Sequence, residues 1–176
     1  MKSKSVSNAR ARLLAAVLPI LAWPAQGASQ CVWPAWENFK QHMISDDGRV
    51  IDASSPQQIT TSEGQSYGLF FALVANDEQS FGRLLTWTRN NLADGDLSHR
   101  LPAWKWGLDK DGQWGVLDAN NASDADLWIA YSLLEAGRLW HRPDYLASGN
   151  HLLWRSAAQT LRKLPGLGLM LLPGDV

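Results

Sequence analysis

An all-α fold of stacked helical hairpins is predicted by three features of the sequence. Apolar residues recur at helical spacing in five segments, short connections rich in Asp, Asn and Gly separate them, and convincing strand alternation is absent. A chain of 176 residues has room for one domain with a real core, or for part of a larger one. No repeat of fixed period accompanies the helices, so a tandem solenoid of the common kinds is not expected.

The helical pattern is preceded by a different kind of segment. Lys2, Lys4, Arg10 and Arg12 form a positive start, and Leu13 to Trp23 is an uncharged apolar run too short to span a bilayer. Ala25-Gln26-Gly27 then carries small residues at the two positions a signal peptidase reads. Residues 1–27 are expected to be a cleaved signal peptide and residues 28–176 a secreted or periplasmic chain. No second apolar run suggests membrane insertion after cleavage. Removing four positive charges moves the formal net charge from -1 to about -5, which disfavours nucleic acid and acidic membranes as partners. Cys31 is the only cysteine, so no intramolecular disulfide can form and stability must come from packing.

The first helix is predicted to begin at Pro34, with Trp36, Phe39 and Met43 on one side, and to end at Asp46-Asp47-Gly48. Ser62 is the expected N-cap of the second, whose apolar face is read as Tyr67, Phe70, Phe71 and Val74 before Asn76-Asp77 breaks it. The third presents Phe81, Leu84, Leu85 and Leu92, and Asp94-Gly95-Asp96 turns the chain. The fourth runs from about Asp124 to Trp140 with Leu127, Ala130, Tyr131 and Leu134 inward, Ser123 or Asp124 capping it and Pro143 lying just beyond. The fifth covers about Asp144 to Arg162, with Leu146, Leu153, Ala157 and Leu161.

Residues Leu101 to Asn121 have no helical period and are rich in Trp, Gly and Asp, so an ordered loop or short hairpin is expected, turning at Asp111-Gly112 between Trp106 and Trp114. Aromatic-rich loops on a rigid scaffold commonly carry binding groups. The apolar stretch Pro165 to Gly174 reads as a loop or strand that docks on something, and the chain is expected to be incomplete at that end. Tryptophan is in excess, with ten in the chain and nine beyond the leader. Indoles fill cores, and they also line grooves where their faces stack on ligands.

Four scattered histidines and one cysteine have no metal-ligand spacing, and no nucleophile elbow or phosphate loop is present. Carboxylate chemistry remains. Glu63, in Thr61-Ser62-Glu63-Gly64-Gln65-Ser66-Tyr67-Gly68, falls in the first turn of a predicted helix, where free N–H groups stabilise an acidic side chain whether or not it has a catalytic role. Asp124 and Asp126, in Ala122-Ser123-Asp124-Ala125-Asp126, are two apart, so their side chains diverge and at most one shares a cavity with Glu63. One carboxylate from each of two helix starts, with indoles between them, suits glycosidic hydrolysis, which needs a proton donor and a second carboxylate across the scissile bond.

At these residues the sequence resembles glycoside hydrolase family 8. The Ala-Ser-Asp-Ala-Asp run, followed by an apolar helix with Ala130, Ala136 and Trp140 at the family's spacing, carries the resemblance, which extends from about Cys31 to Val176. Thr61–Gly68 and Leu101–Gly107 are similar to members encoded with bacterial cellulose synthase. The resemblance implies an (α/α)6 barrel, here its N-terminal half, and inverting endo-1,4-β-glucanase activity on a β-1,4-glucan chain without metal or organic cofactor. It also implies the cellulose synthase export machinery as a possible partner. Glu63 matches the family's proton donor. Asp124 matches the signature aspartate, either as a base or as a group that holds a sugar hydroxyl and distorts the ring. Trp104 falls where the family stacks an indole on glucose, and Tyr67, Asp126 and Trp128 are expected around the same groove. The carboxylate usually taken as the family's base lies in the half beyond this sequence. Two rival readings are a glucan-binding module without activity and a helical interaction protein that uses its aromatics only as core.

Overall fold

The computed structural model describes residues 33–175, so the expected signal peptide lies outside the described residues. Five helices carry the fold: α1 Pro34–Met43, α2 Ser62–Val74, α3 Glu78–Leu92, α4 Ser123–Leu139 and α5 Pro143–Thr160. A three-stranded antiparallel sheet joins β1 Thr60–Thr61, β2 Lys105–Leu108 and β3 Trp114–Asp118, and a separate hairpin pairs β4 Leu161–Leu164 with β5 Gly168–Leu171. The hairpin between Trp106 and Trp114 turns at Gly112, as the Asp-Gly signal predicts. The two-residue β1 and the β4–β5 hairpin are additions to the predicted helices. The hairpin also ends α5 at Thr160, two residues before the expected boundary.

Helices α2 and α4 pack side by side, α3 covers α2, and α5 covers α4, giving two helical hairpins in two layers. Leu69, Ala72, Phe81, Leu84, Ile129, Leu133, Ala136 and Leu152 form the fully buried centre. Glycine permits two of the closest approaches. Gly48 has φ +96° and lies where a Cβ would stand 2.5 Å from the Arg83 backbone, and a Cβ on Gly137 would strike Leu146 at 2.6 Å. Gln65 cross-links α2, α3 and the loop after α1. Its buried side chain accepts the Val50 N–H and donates to the carbonyls of Gly48 and Leu84 and to the Thr88 hydroxyl.

Three predicted faces are corrected. In α2 the deep side is Gln65, Gly68, Leu69, Ala72 and Leu73, whereas Tyr67 and Val74 are exposed. This helix is apolar around most of its circumference, and Gly68, Leu69, Ala72 and Leu73 go deepest while Phe70 meets Trp128 of α4 nearer the surface. Phe71 instead packs edge-on beneath Phe39 of α1 at 5.5 Å. In α4 the buried set is Ala125, Ile129, Ala130, Leu133 and Ala136, and Tyr131 is exposed. In α5 it is Tyr145, Gly149, Leu152, Ser156 and Thr160, with Leu146 and Leu161 outside. Both helices are turned from the expected arc because the deep positions hold small residues that let α4 and α5 approach. The caps also shift. Thr61, not Ser62, accepts the Gly64 N–H at the start of α2, and α4 starts after Ala122 without a side-chain cap.

Candidate active site

The starts of α2 and α4 are tied together by one residue of the intervening loop. The backbone carbonyl of Trp104 accepts the Ser62 N–H at 3.0 Å, and the Trp104 N–H donates to the Asn120 carbonyl at 2.7 Å. On the other side of α4, Ser123 donates its N–H to the Pro173 carbonyl at 2.8 Å and its hydroxyl to the Leu172 carbonyl at 2.7 Å. The chain after β5 is thereby strapped to the helix start that carries Asp124.

Glu63 is exposed in the first turn of α2, and the Tyr67 hydroxyl, one helical turn on, donates to its Oε1 at 3.0 Å. That hydrogen bond and the Glu63 charge raise the Tyr67 phenol above its ordinary value, and the charge of Asp124 adds to the shift. Tyr67 is thus bonded to one carboxylate and lies within the field of the other. Asp124 is exposed in the first turn of α4 and lines a cleft of about 740 Å³ with Phe70, Trp128, Tyr131 and the Leu171–Pro173 segment. Trp128 forms one wall, its ring 4.8 Å from Phe70, 5.8 Å from Tyr131 and 6.5 Å from Tyr67. Glu63 and Tyr67 also border a smaller cavity of about 240 Å³ against Asp52 and Phe71.

Asp126 lies elsewhere. It has no solvent exposure, and the Asn121 amide donates to its Oδ2 at 2.6 Å, while its Oδ1 has no hydrogen-bond partner among the described residues. Burial pushes its carboxyl up to about 7, with the Asn121 hydrogen bond opposing and the Asp124 charge adding. The expected sugar contact at Asp126 does not match this placement, because two positions separated by two on a helix point apart, and here one faces the core. Trp104 is half-buried and contributes backbone to the frame. Its indole N–H, the foremost cause, holds Asp118 below the usual carboxylate range.

Asn121 escaped the sequence reading. Its carbonyl oxygen accepts the Asp175 N–H at 2.7 Å while its amide serves Asp126, so one side chain joins the core of α4 to the strap after β5. The only signal was an Asn directly before a helix-starting Ala-Ser-Asp run. The sequence places the wall residues Phe70 and Tyr131 on packing faces and leaves Leu171–Pro173 as an unassigned apolar end.

The description of one protein family, Glycosyl hydrolases family 8, matches residues 10–176. The chain belongs to this family. Among family 8 relatives, the endoglucanase of Escherichia coli (strain K12) is 56% identical over 160 residues, which are 91% of this chain and 43% of that protein. The endoglucanase of Xanthomonas axonopodis pv. citri (strain 306) is 56% identical over 162 residues, 92% of this chain and 42% of its own length. The chain thus spans less than half the length of the curated relatives it matches. The crystal structure of endo-1,4-D-glucanase from Vibrio fischeri ES114 superposes with a TM-score of 0.79 at 56% identity, over 82% of this chain and 42% of that one. Endo-beta-1,4-glucanase from Acetobacter xylinum gives a TM-score of 0.70 at 33% identity, over 80% and 42%. The two layers of helical hairpins are a partial toroid of the family 8 (α/α)6 barrel.

Proposed function

We propose that the protein acts as an endo-1,4-β-glucanase, cleaving internal β-1,4-glucosidic bonds with inversion. The observation that carries this reading is the hydrogen bond from Tyr67 to Glu63, with the Tyr67 ring 6.5 Å from Trp128, which walls the cleft lined by Asp124. In the proposed reaction Glu63 protonates the departing glycosidic oxygen, and Tyr67 holds its carboxyl toward the groove. A base on the opposite face of the sugar takes a proton from water as that water attacks the anomeric carbon, so no covalent intermediate forms. Asp124 either is that base or binds a sugar hydroxyl and distorts the ring. Asp126 is out of reach of water and substrate, so it takes neither role. Trp104 and Trp128 supply the flat apolar faces against which pyranose rings stack. Export by the N-terminal leader belongs to the same proposal and rests on the charge and apolar pattern of residues 1–27, while work beside a cellulose-synthesising machine rests on the sequence resemblance.

A second reading has an observation in its favour. The relatives are more than twice as long as the matched region, so the chain alone can be a glucan-binding part whose base is supplied by the rest of the fold. Reducing-end release from a soluble β-1,4-glucan by the full chain and by Glu63→Gln decides between them. Activity lost in Glu63→Gln supports cleavage with Asp124 as base. Equal activity in both sinks the assignment of Glu63, and binding without release in either supports the second reading.

A further inference from the structure

Trp154 is the most exposed tryptophan among the described residues, at 72%. Among the described residues, each of the other indoles is engaged. Trp33, Trp36, Trp87, Trp106, Trp114, Trp128 and Trp140 pack on aromatic rings, and the Trp104 ring faces the Lys105 ammonium at 5.5 Å. Trp154 has neither a ring partner nor a hydrogen bond there, so its indole faces are open to a ligand.

The surroundings of Trp154 are not those of a stray apolar residue. It borders a cavity of about 310 Å³ whose other walls are Ser98, His151, Arg155, Ala158 and Gln159. On α5, His151, Trp154, Arg155, Ala158 and Gln159 follow at three- and four-residue steps, so they form one stripe along the helix. The Arg155 Nε donates to the Ser98 carbonyl at 3.0 Å, which fixes the guanidinium and joins the stripe to the turn after α3. Its terminal nitrogens, the His151 ring and the Gln159 amide have no hydrogen-bond partners among the described residues. The cavity shares no wall residue with the clefts at Asp124 and Glu63.

A flat apolar face ringed by donors and acceptors, with a small alanine between them, matches a pyranose, whose ring faces carry C–H groups and whose rim carries hydroxyls. A protein partner would call for a larger dry surface. We propose that the Trp154 stripe on α5 is a second glucan-binding site, which holds a β-1,4-glucan chain on the outer layer while the groove engages another stretch. This rests on the reading that the protein handles β-1,4-glucan.

The test is native-gel retardation of the full chain by soluble hydroxyethyl cellulose, with dextran as the control polymer, beside titration with cellohexaose followed by tryptophan fluorescence. Trp154→Ala is expected to weaken retardation by about fivefold or more, the scale of one lost stacking contact, with the circular dichroism spectrum unchanged. Gln159→Ala should produce a smaller loss in the same direction. Retardation of Trp154→Ala equal to the parent overturns the second site and leaves the proposed function standing. A parent retarded equally by dextran overturns its β-glucan character. A parent that neither is retarded nor binds cellohexaose overturns both readings.

Discussion

Ser62 donates its backbone N–H to the carbonyl of Trp104, and Trp104 donates its own N–H to Asn120. The residue expected to offer its indole to sugar also fixes, through its peptide group, the starts of the two helices that carry Glu63 and Asp124. The two roles separate by mutation. Trp104→Ala keeps the peptide and should weaken glucan binding in a fluorescence titration with little change in Tm. Trp104→Pro removes the N–H as well and should cost about 1–3 kcal/mol in thermal unfolding. Equal Tm values for the two variants would show that the backbone tie contributes no stability.

The Tyr67–Glu63 hydrogen bond is exposed, so its effect should be read in rate and not in stability. Tyr67→Phe should lower glucan cleavage about tenfold, the scale of one hydrogen bond to a charged group, while the unfolding midpoint in urea stays in place. An unchanged rate in a reducing-sugar assay of an active preparation would remove Tyr67 from the machinery.

Asp126 makes stability depend on pH in an unusual direction for an aspartate. Its folded carboxyl lies at about 7 against an ordinary 3.8, so between these values the folded state holds more protons than the unfolded one. Stability is therefore greatest at the acid end of that window and falls as pH rises through it. Asp126→Asn keeps the shape without the charge. It should flatten this slope and stabilise the fold at pH 8 on the order of 2 kcal/mol. Parallel Tm–pH curves for parent and variant would contradict the assignment.

Asp77 works in the opposite sense. It caps α3 through the Ser80 N–H at 3.0 Å and also accepts from Ser80 Oγ, Lys40 and the Trp36 indole. Burial works against its charge, but the Ser80 and Lys40 hydrogen bonds outweigh it and bring the carboxyl down to about 2. That contribution is complete above the ordinary value of 3.8 and is lost as pH falls from there toward 2. Asp77→Ala should cost about 2 kcal/mol at pH 7, and the difference from the parent should shrink in unfolding curves measured near pH 2.

Helix positions, the Gly112 hairpin and the carboxylates at two helix starts were legible in the sequence, because periodicity, Asp-Gly turns and the Ala-Ser-Asp-Ala-Asp run are local signals. Helix faces were less so. Leu69, Ala72 and Leu73 in α2 repeat at the same spacing as Tyr67, Phe70 and Phe71, and only the closeness of α3 and α4 decides which set goes inside. Gln65 and Asn121 were invisible for a related reason, since a buried amide is identified by partners far along the chain. The two-residue β1 has no pattern of its own and exists only because β2 lies beside it.

The pairing of Thr60 with Trp106 has a kinetic consequence. The α2–α3 and α4–α5 hairpins join residues near one another in the chain and close quickly, whereas residues 60 to 62 must find 104 to 106 across the whole of α3. Each carboxylate-bearing helix can thus form before the spacing between the carboxylates exists. Lengthening the connection between α3 and β2 would delay the arrival of a competent groove while leaving the helical content of the early chain unchanged.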